Sequence, residues 1–209
     1  MTQHLDFFHT PQSRSSGVLA LLKELKADFT THLVDQRAGQ QRQPDYLAKN
    51  PMGKVPAIMH GDALVTEQVA IYIYLADVHA AAGLAPPIGD PLRGPYLRWI
   101  AFYGACFEPA IVDLSMKRAP APQALCPYGD YQTMLETVVA QLGKGAYLLG
   151  DTFSAADVLW GTSLAWACAF ELVPRLPVID QYSERILRRP AIAAALASDA
   201  AAAAAAAAT

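Results

Sequence analysis

Residues 50–68 read Asn50-Pro-Met-Gly-Lys-Val-Pro-Ala-Ile-Met-His-Gly-Asp-Ala-Leu-Val-Thr-Glu-Gln68. Gly61-Asp62 separates two short apolar runs, 56–60 and 63–65, and that spacing predicts a β-hairpin. Just upstream, a short helix over 44–49 stops at Asn50-Pro51, because the residue before a proline avoids the helical region. Downstream, residues 67–82 carry Val69, Tyr72, Ile73 and Ala76 on one helical face. Working back to the start, residues 3–8 read as a strand closed by the Thr10-Pro11 turn. A helix opens at Ser15, with Val18, Leu21, Leu22 and Leu25 at i, i+3, i+4 and i+7. Residues 29–34 form a second strand, and 35–43 a polar loop expected to be mobile. Strand, helix and strand in that order make a βαβ unit, with a right-handed crossover and a parallel pair.

The full order, βαβ-α-ββα, is the thioredoxin-like arrangement with a four-stranded mixed sheet. Residues 83–95 are rich in Pro and Gly and read as a linker. Everything beyond reads as helix: 92–116, broken locally by Pro109; 131–142, ending at Gly143 as a C-cap; 154–170, the most apolar; and 178–187, stopping before Pro190. The expected fold class is therefore α/β plus all-α, an N-terminal thioredoxin-like domain followed by a C-terminal helical bundle. The expected boundaries are 1–82, a linker 83–95, a helical domain 96–199, and an alanine tail 200–209. That alanine run has no apolar face beyond its methyls, and no function is drawn from it.

The chain has 209 residues, 53% hydrophobic and 17% charged, with net charge −3. This is enough to bury a core and excludes disorder. With no run of Lys or Arg, neither a nucleic-acid footprint nor an anionic-membrane patch is expected. The longest weakly polar run, 158–170, is 13 residues long, against about 20 for a bilayer span. The opening Met-Thr-Gln-His-Leu-Asp lacks the basic start and apolar stretch of a signal peptide, so a cytoplasmic protein is expected. Cys106, Cys126 and Cys168 form no C-x-x-C and fit reduced thiols. His4, His9, His32, His60 and His79 never fall at i, i+4 with a carboxylate partner, so no metal site is legible.

Several residues carry chemistry by position. An X-Pro bond is where a cis peptide costs only about 0.5–1 kcal/mol. A cis Val55-Pro56 would turn the Val55 N–H and C=O outward as an open edge for an extended peptide. Glu67-Gln68 opens a helix, where free N–H groups and the dipole favour an anion; alternatively, Glu67 merely complements the dipole. The hydroxyls of Thr10-Pro-Gln-Ser-Arg-Ser-Ser16 either cap the following helix or donate to a bound group. Phe153-Ser-Ala-Ala-Asp157-Val158 reads as a capping box with a hydrophobic staple, a folding element whose loss by Asp157→Ala costs roughly 0.5–2 kcal/mol.

With Asn50-Pro-Met-Gly-Lys-Val-Pro56, Glu67-Gln68 and Gly150-Asp-Thr-Phe-Ser-Ala-Ala-Asp157, the sequence resembles the cytosolic glutathione transferases over roughly residues 3–190. It looks nearest the bacterial beta and nu-like classes. The resemblance implies glutathione as co-substrate, no metal, a hydrophobic electrophile and a homodimer. It implies a cis Pro56, with Val55 pairing the cysteinyl backbone of glutathione, and the γ-glutamyl end held by Glu67 and Gln68. Most relatives have Ser at position 68. Lys54 either meets the glycine carboxylate or is a solvated lysine; Gln36, Arg37 and Gln40 are weaker candidates of the same kind.

The thiol-activating group is expected in the loop after the first strand. The family's Tyr is absent there, and Arg14 stands where the beta class has its Cys. A nu-class comparison matches Thr10-Pro11-Gln12 to a Thr-Pro-Asn around the sulfur. Ser13 is the first choice, followed by Thr10, Gln12 and Ser15. Tyr103, Cys106, Phe107 and Trp166 are expected either to line an apolar electrophile site or to be core, with Glu108 near its mouth. Three functions follow: a transferase, a glutathione-dependent disulfide reductase or peroxidase, and a non-catalytic ligand-binding module.

Overall fold

The computed structural model describes residues 4–207. Gln3, the expected start of the first strand, and residues 208–209 of the alanine run lie outside that range, as do the first residues of the N-terminal stretch. In chain order the elements are β1 (Leu5–His9), α1 (Ser15–Glu24), β2 (Thr30–Leu33), α2 (Pro44–Leu47), β3 (Ala57–His60), β4 (Ala63–Val65) and α3 (Gln68–Val78). There follow α4 (Arg93–Phe102), α5 (Glu108–Ser115), α6 (Tyr131–Leu142), α7 (Ala155–Ala169), α8 (Pro177–Leu187) and α9 (Pro190–Ala207).

The sheet runs β2-β1-β3-β4. β1 pairs β2 in parallel and β3 antiparallel, and β3 closes the hairpin with β4. This is the expected mixed sheet, and the α1 stripe of Val18, Leu21, Leu22 and Leu25 is buried. The loop expected to be mobile is a bonded one. Asp35 Oδ1 accepts the Arg37 and Ala38 N–H groups at 2.9 and 3.0 Å, and Gln40 Oε1 accepts the Asp35 N–H at 2.8 Å.

The chain packs as two compact units, residues 1–79 with 189–209, and residues 80–188. That differs from the expected partition at its C-terminal end, because α9 returns to the first unit and packs on α1. Ile192, Ala195 and Asp199 are buried along one face of α9, a stripe at i, i+3 and i+7. Glu24 of α1 and Arg189 pair at the near end, with Nε 2.9 Å from Oε1. Alanine methyls let a helix approach closely where larger side chains would hold it away, and pattern reading undervalues a stripe that small.

In the second unit Trp160 is fully buried, with Trp99, Tyr103 and Phe107 around it at ring distances of 5.8, 5.6 and 5.0 Å. The helix expected over 92–116 is interrupted one turn before Pro109, by a π-helical turn at Tyr103–Phe107. Pro109 then sits in the first turn of α5. Gly143 caps α6 in a right-handed conformation, not the left-handed one of a glycine C-cap.

The capping box at Ser154 forms, and Asp157 does more than cap. Its carboxylate accepts from Ser154 N–H and Oγ at 2.9 and 3.0 Å, from Leu148 N–H at 2.8 Å and from the Tyr182 hydroxyl at 2.8 Å. Burial pushes this carboxyl up, and the four bonds pull the other way. Among the described residues no helix is long and apolar enough to cross a membrane, and no group of His, Cys, Asp or Glu could hold a metal.

Candidate active site

The register of the sheet explains why distant stretches meet. Phe8 pairs with Ala57 in the antiparallel β1–β3 ladder. One and two steps further along, Pro56 comes level with His9 and Val55 with Thr10. The Val55–Pro56 peptide bond is cis. Below it, Lys54 O accepts from the Tyr46 hydroxyl at 2.6 Å and Asn50 Nδ2 at 2.9 Å, and Asn50 Oδ1 accepts the Met52 N–H at 3.1 Å. Gly53 turns at φ +58°, where a Cβ would meet Gln41 O at 2.7 Å. Asn50 and Gly53, both buried, thus brace the turn that leads into Val55, while Pro51, Met52 and the Lys54 side chain are exposed.

Glu67 precedes α3 at φ +62°, ψ 115°, outside the usual regions for a residue with a side chain. Its side chain is exposed. Gln68 opens the helix, and its Nε2 donates to Arg14 O at 3.3 Å. That bond ties the α3 N-terminus to the loop after β1.

The loop offers four expected groups in four different situations. The Thr10 hydroxyl is committed to Val34 O at 2.7 Å. Gln12 is exposed, holds φ +55°, and donates its N–H to Asp199 Oδ2 at 2.9 Å. Ser15 is fully buried. Ser13 is half-buried: its Oγ donates to Thr10 O at 2.7 Å, lies 2.7 Å from Ser15 Oγ, and accepts the Ser15 N–H at 3.1 Å. Ser13 therefore caps the first amide of α1 and, unlike Ser15, is not fully buried.

Two residues in this cluster escaped the sequence reading. His9 Nδ1 lies 2.7 Å from Ser15 Oγ, and its Nε2 lies 2.8 Å from Asp199 Oδ1. Oδ1 takes no in-line hydrogen bond, so this approach is a charge contact. Asp199 Oδ2 also accepts from the Ser16 hydroxyl at 2.9 Å. Burial pushes the Asp199 carboxyl up, but the contact from His9, the Gln12 N–H, the Ser16 hydroxyl and the His9 charge outweigh it, and the net shift is downward. The available signal was polarity out of phase: His9 shares the apolar face of β1 with Leu5 and Phe7, and Asp199 shares the stripe of Ile192 and Ala195.

The expected electrophile-site residues lie in the second unit and differ in burial. Tyr103 and Phe107 are core around Trp160, with the Tyr103 hydroxyl donating to Glu108. Trp166 is partly exposed and stacks on Phe170 at 4.6 Å. Cys106 Sγ lies 3.7 Å from Pro127 O. Burial pushes its thiol up more than Arg98 lowers it, which keeps it a poor nucleophile.

The family model described as the glutathione S-transferase N-terminal domain matches residues 4–77. Glutathione S-transferase GST-4.5 of Xanthomonas campestris pv. campestris is 31% identical over 179 residues, 82% of this chain and 87% of that protein. The crystal structure of a glutathione transferase from Methylococcus capsulatus strain Bath superposes with TM-score 0.79 at 30% identity, covering 94% of this chain and 98% of that one. A sphingomonad glutathione S-transferase complexed with glutathione gives TM-score 0.76 at 31% identity, covering 93% and 98%. The chain is an enzyme of the glutathione S-transferase family.

Proposed function

We propose that this enzyme binds glutathione across the first unit, ionises its thiol and conjugates the thiolate to a hydrophobic electrophile. The peptide backbone of glutathione would lie against the Val55 edge. Its γ-glutamyl carboxylate would take the Gln68 N–H and side-chain amide at the α3 N-terminus, and its ammonium would face Glu67. The glycine carboxylate would reach toward Lys54. The thiol would then fall beside Ser13, with Gln12 as a second donor. A hydroxyl donor and the N-terminus of α1 both favour the anion. The thiol proton leaves to water; the sulfur attacks the electrophilic carbon, the new C–S bond forms, and a leaving group such as halide departs.

The observation that carries this reading is the convergence of the Val55 edge, the α3 N-terminus and the Ser13 hydroxyl within one unit, tied by the Phe8–Ala57 pairing and the Gln68–Arg14 bond. The loop Thr10-Pro-Gln-Ser-Arg-Ser-Ser16 offers hydroxyls and no cysteine, which favours thiolate stabilisation by hydroxyls over a mixed disulfide with the protein. A homodimer in the cytoplasm completes the proposal, and sedimentation at micromolar concentration tests the dimer.

The deciding experiment titrates glutathione into the protein and follows thiolate absorbance in the ultraviolet against pH, with Ser13→Ala alongside. The bound thiol should ionise below its free value of about 8.5, and Ser13→Ala should remove the shift and lower kcat by about 10²-fold. A shift that survives in Ser13→Ala transfers the role to Gln12 or Thr10; Ser15, fully buried, cannot reach the sulfur. Binding without ionisation would leave a ligand-binding module. Faster turnover of a glutathione-capped disulfide than of an aryl halide would favour the reductase.

A further inference from the structure

Beneath the half-buried Ser13 hydroxyl runs a chain of contacts that ends in a buried charge. Ser13 Oγ is 2.7 Å from Ser15 Oγ, Ser15 Oγ is 2.7 Å from His9 Nδ1, and His9 Nε2 is 2.8 Å from Asp199 Oδ1. Ser15, His9 and Asp199 are each buried, so of the four only Ser13 can touch a substrate. The order resembles a nucleophile, base and acid, but a serine with no exposed surface attacks nothing. We propose that His9 and Asp199 fix the direction of this relay, so that the Ser13 proton is turned outward onto the glutathione sulfur. The proposal rests on the thiolate reading above and assigns His9, Ser15 and Asp199 as positioning residues for it.

The proposed direction requires a proton on each ring nitrogen of His9. Asp199 Oδ2 accepts two donors, the Gln12 N–H and the Ser16 hydroxyl, both at 2.9 Å, as an ionised carboxylate does. At 2.8 Å from Oδ1, His9 Nε2 must carry a proton, because two lone pairs at that distance repel. The face of the ring is covered by Phe7 at 5.2 Å, which leaves Nδ1 as the only remaining polar atom. With a proton on Nδ1 as well, His9 is an imidazolium paired with a carboxylate, and Ser15 Oγ must accept from it. Ser15 Oγ also accepts the Thr10 N–H at 3.1 Å, which fills its lone pairs, so its one proton goes to Ser13 Oγ at 2.7 Å or to Thr10 O at 3.0 Å. The relay takes the nearer, Ser13 Oγ, which also accepts the Ser15 N–H at 3.1 Å. Ser13 Oγ has its acceptor capacity filled, and its single proton can only point away: to Thr10 O at 2.7 Å in this structure, or to a sulfur arriving beside it. With Nδ1 bare, Ser15 would donate inward to His9 and stop supporting Ser13.

The test measures thiolate absorbance of bound glutathione against pH in the full-length protein, in Ser15→Ala, His9→Gln and Asp199→Asn. Each variant should bind glutathione within about threefold of the parent, since Val55, Glu67 and Gln68 are untouched. The thiol should ionise about one pH unit higher, which is roughly tenfold less thiolate at a given pH. Ser15→Ala is the key variant, because it cuts the relay and leaves the His9–Asp199 pair in place. A parent that ionises the thiol, with folded variants that ionise it equally well, overturns the relay and leaves the proposed function standing. A parent that binds glutathione without ionising it overturns both. If the variants fail to fold, the ¹⁵N spectrum of His9 in the parent decides: two protonated ring nitrogens are expected, and a bare Nδ1 overturns the proposal.

Discussion

Asp199 divides its two carboxylate oxygens, one between the Gln12 N–H and the Ser16 hydroxyl, the other facing His9. A carboxyl held below its free value is harder to protonate folded than unfolded. Its stabilisation is therefore fully present above the unfolded value of about 3.9 and is lost as pH falls through the lower, folded value. Asp199→Asn should lower the unfolding free energy at pH 7 by about 1–3 kcal/mol, measured by denaturant titration. The gap to the parent should close as the titration is repeated below about pH 4; a gap independent of pH would mean that charge is not what Asp199 contributes. At this scale the legible residues were those lying together in sequence. Val55, Pro56, Glu67 and Gln68 announce themselves within one hairpin and its flanks. His9 and Asp199 were silent because their contact joins the first strand to a segment that resembles a tail.

Elements were legible wherever their signal was local. The period of α1, the Asn50-Pro51 stop and the Gly61-Asp62 turn each lie within a few residues, and each formed where expected. The π-helical turn at Tyr103–Phe107 is written in the sequence only as the local break expected at Pro109, whose ring crowds the carbonyl four residues back. Two element-level predictions follow from close approaches. At Gly161, α7 meets α8 so closely that a Cβ would lie 2.6 Å from Cβ of Ile186. Gly161→Ala gains helix propensity of about 1 kcal/mol but forces the two helices apart, and a net loss of about 1–3 kcal/mol is expected by denaturant titration. No loss would mean that the helices slide at no cost. Asp157→Ala removes more than a cap. With Leu148 N–H and the Tyr182 hydroxyl left without their buried acceptor, the expected loss rises from the 0.5–2 kcal/mol of a cap alone to about 3 kcal/mol or more. Specific activity of the folded fraction should be retained.

For the whole molecule, the informative departure is that the first unit is discontinuous, built from both ends of the chain around residues 80–188. Removing residues 189–209 should therefore destabilise the first unit itself by about 3 kcal/mol or more. Removing only 204–209 should leave its melting temperature nearly unchanged. Equal melting of the two truncations would show that α9 is dispensable. The same return path has a temporal side. On the ribosome the β-sheet strands emerge first, but the helix that holds Gln12 and Ser16 emerges only after residues 80–188. Elongation through residues 80–188 takes roughly 5–20 s. For that interval the nascent sheet carries the loop after β1 with no carboxylate beneath it, and Asp199 reaches Gln12 and Ser16 only once α9 has been made.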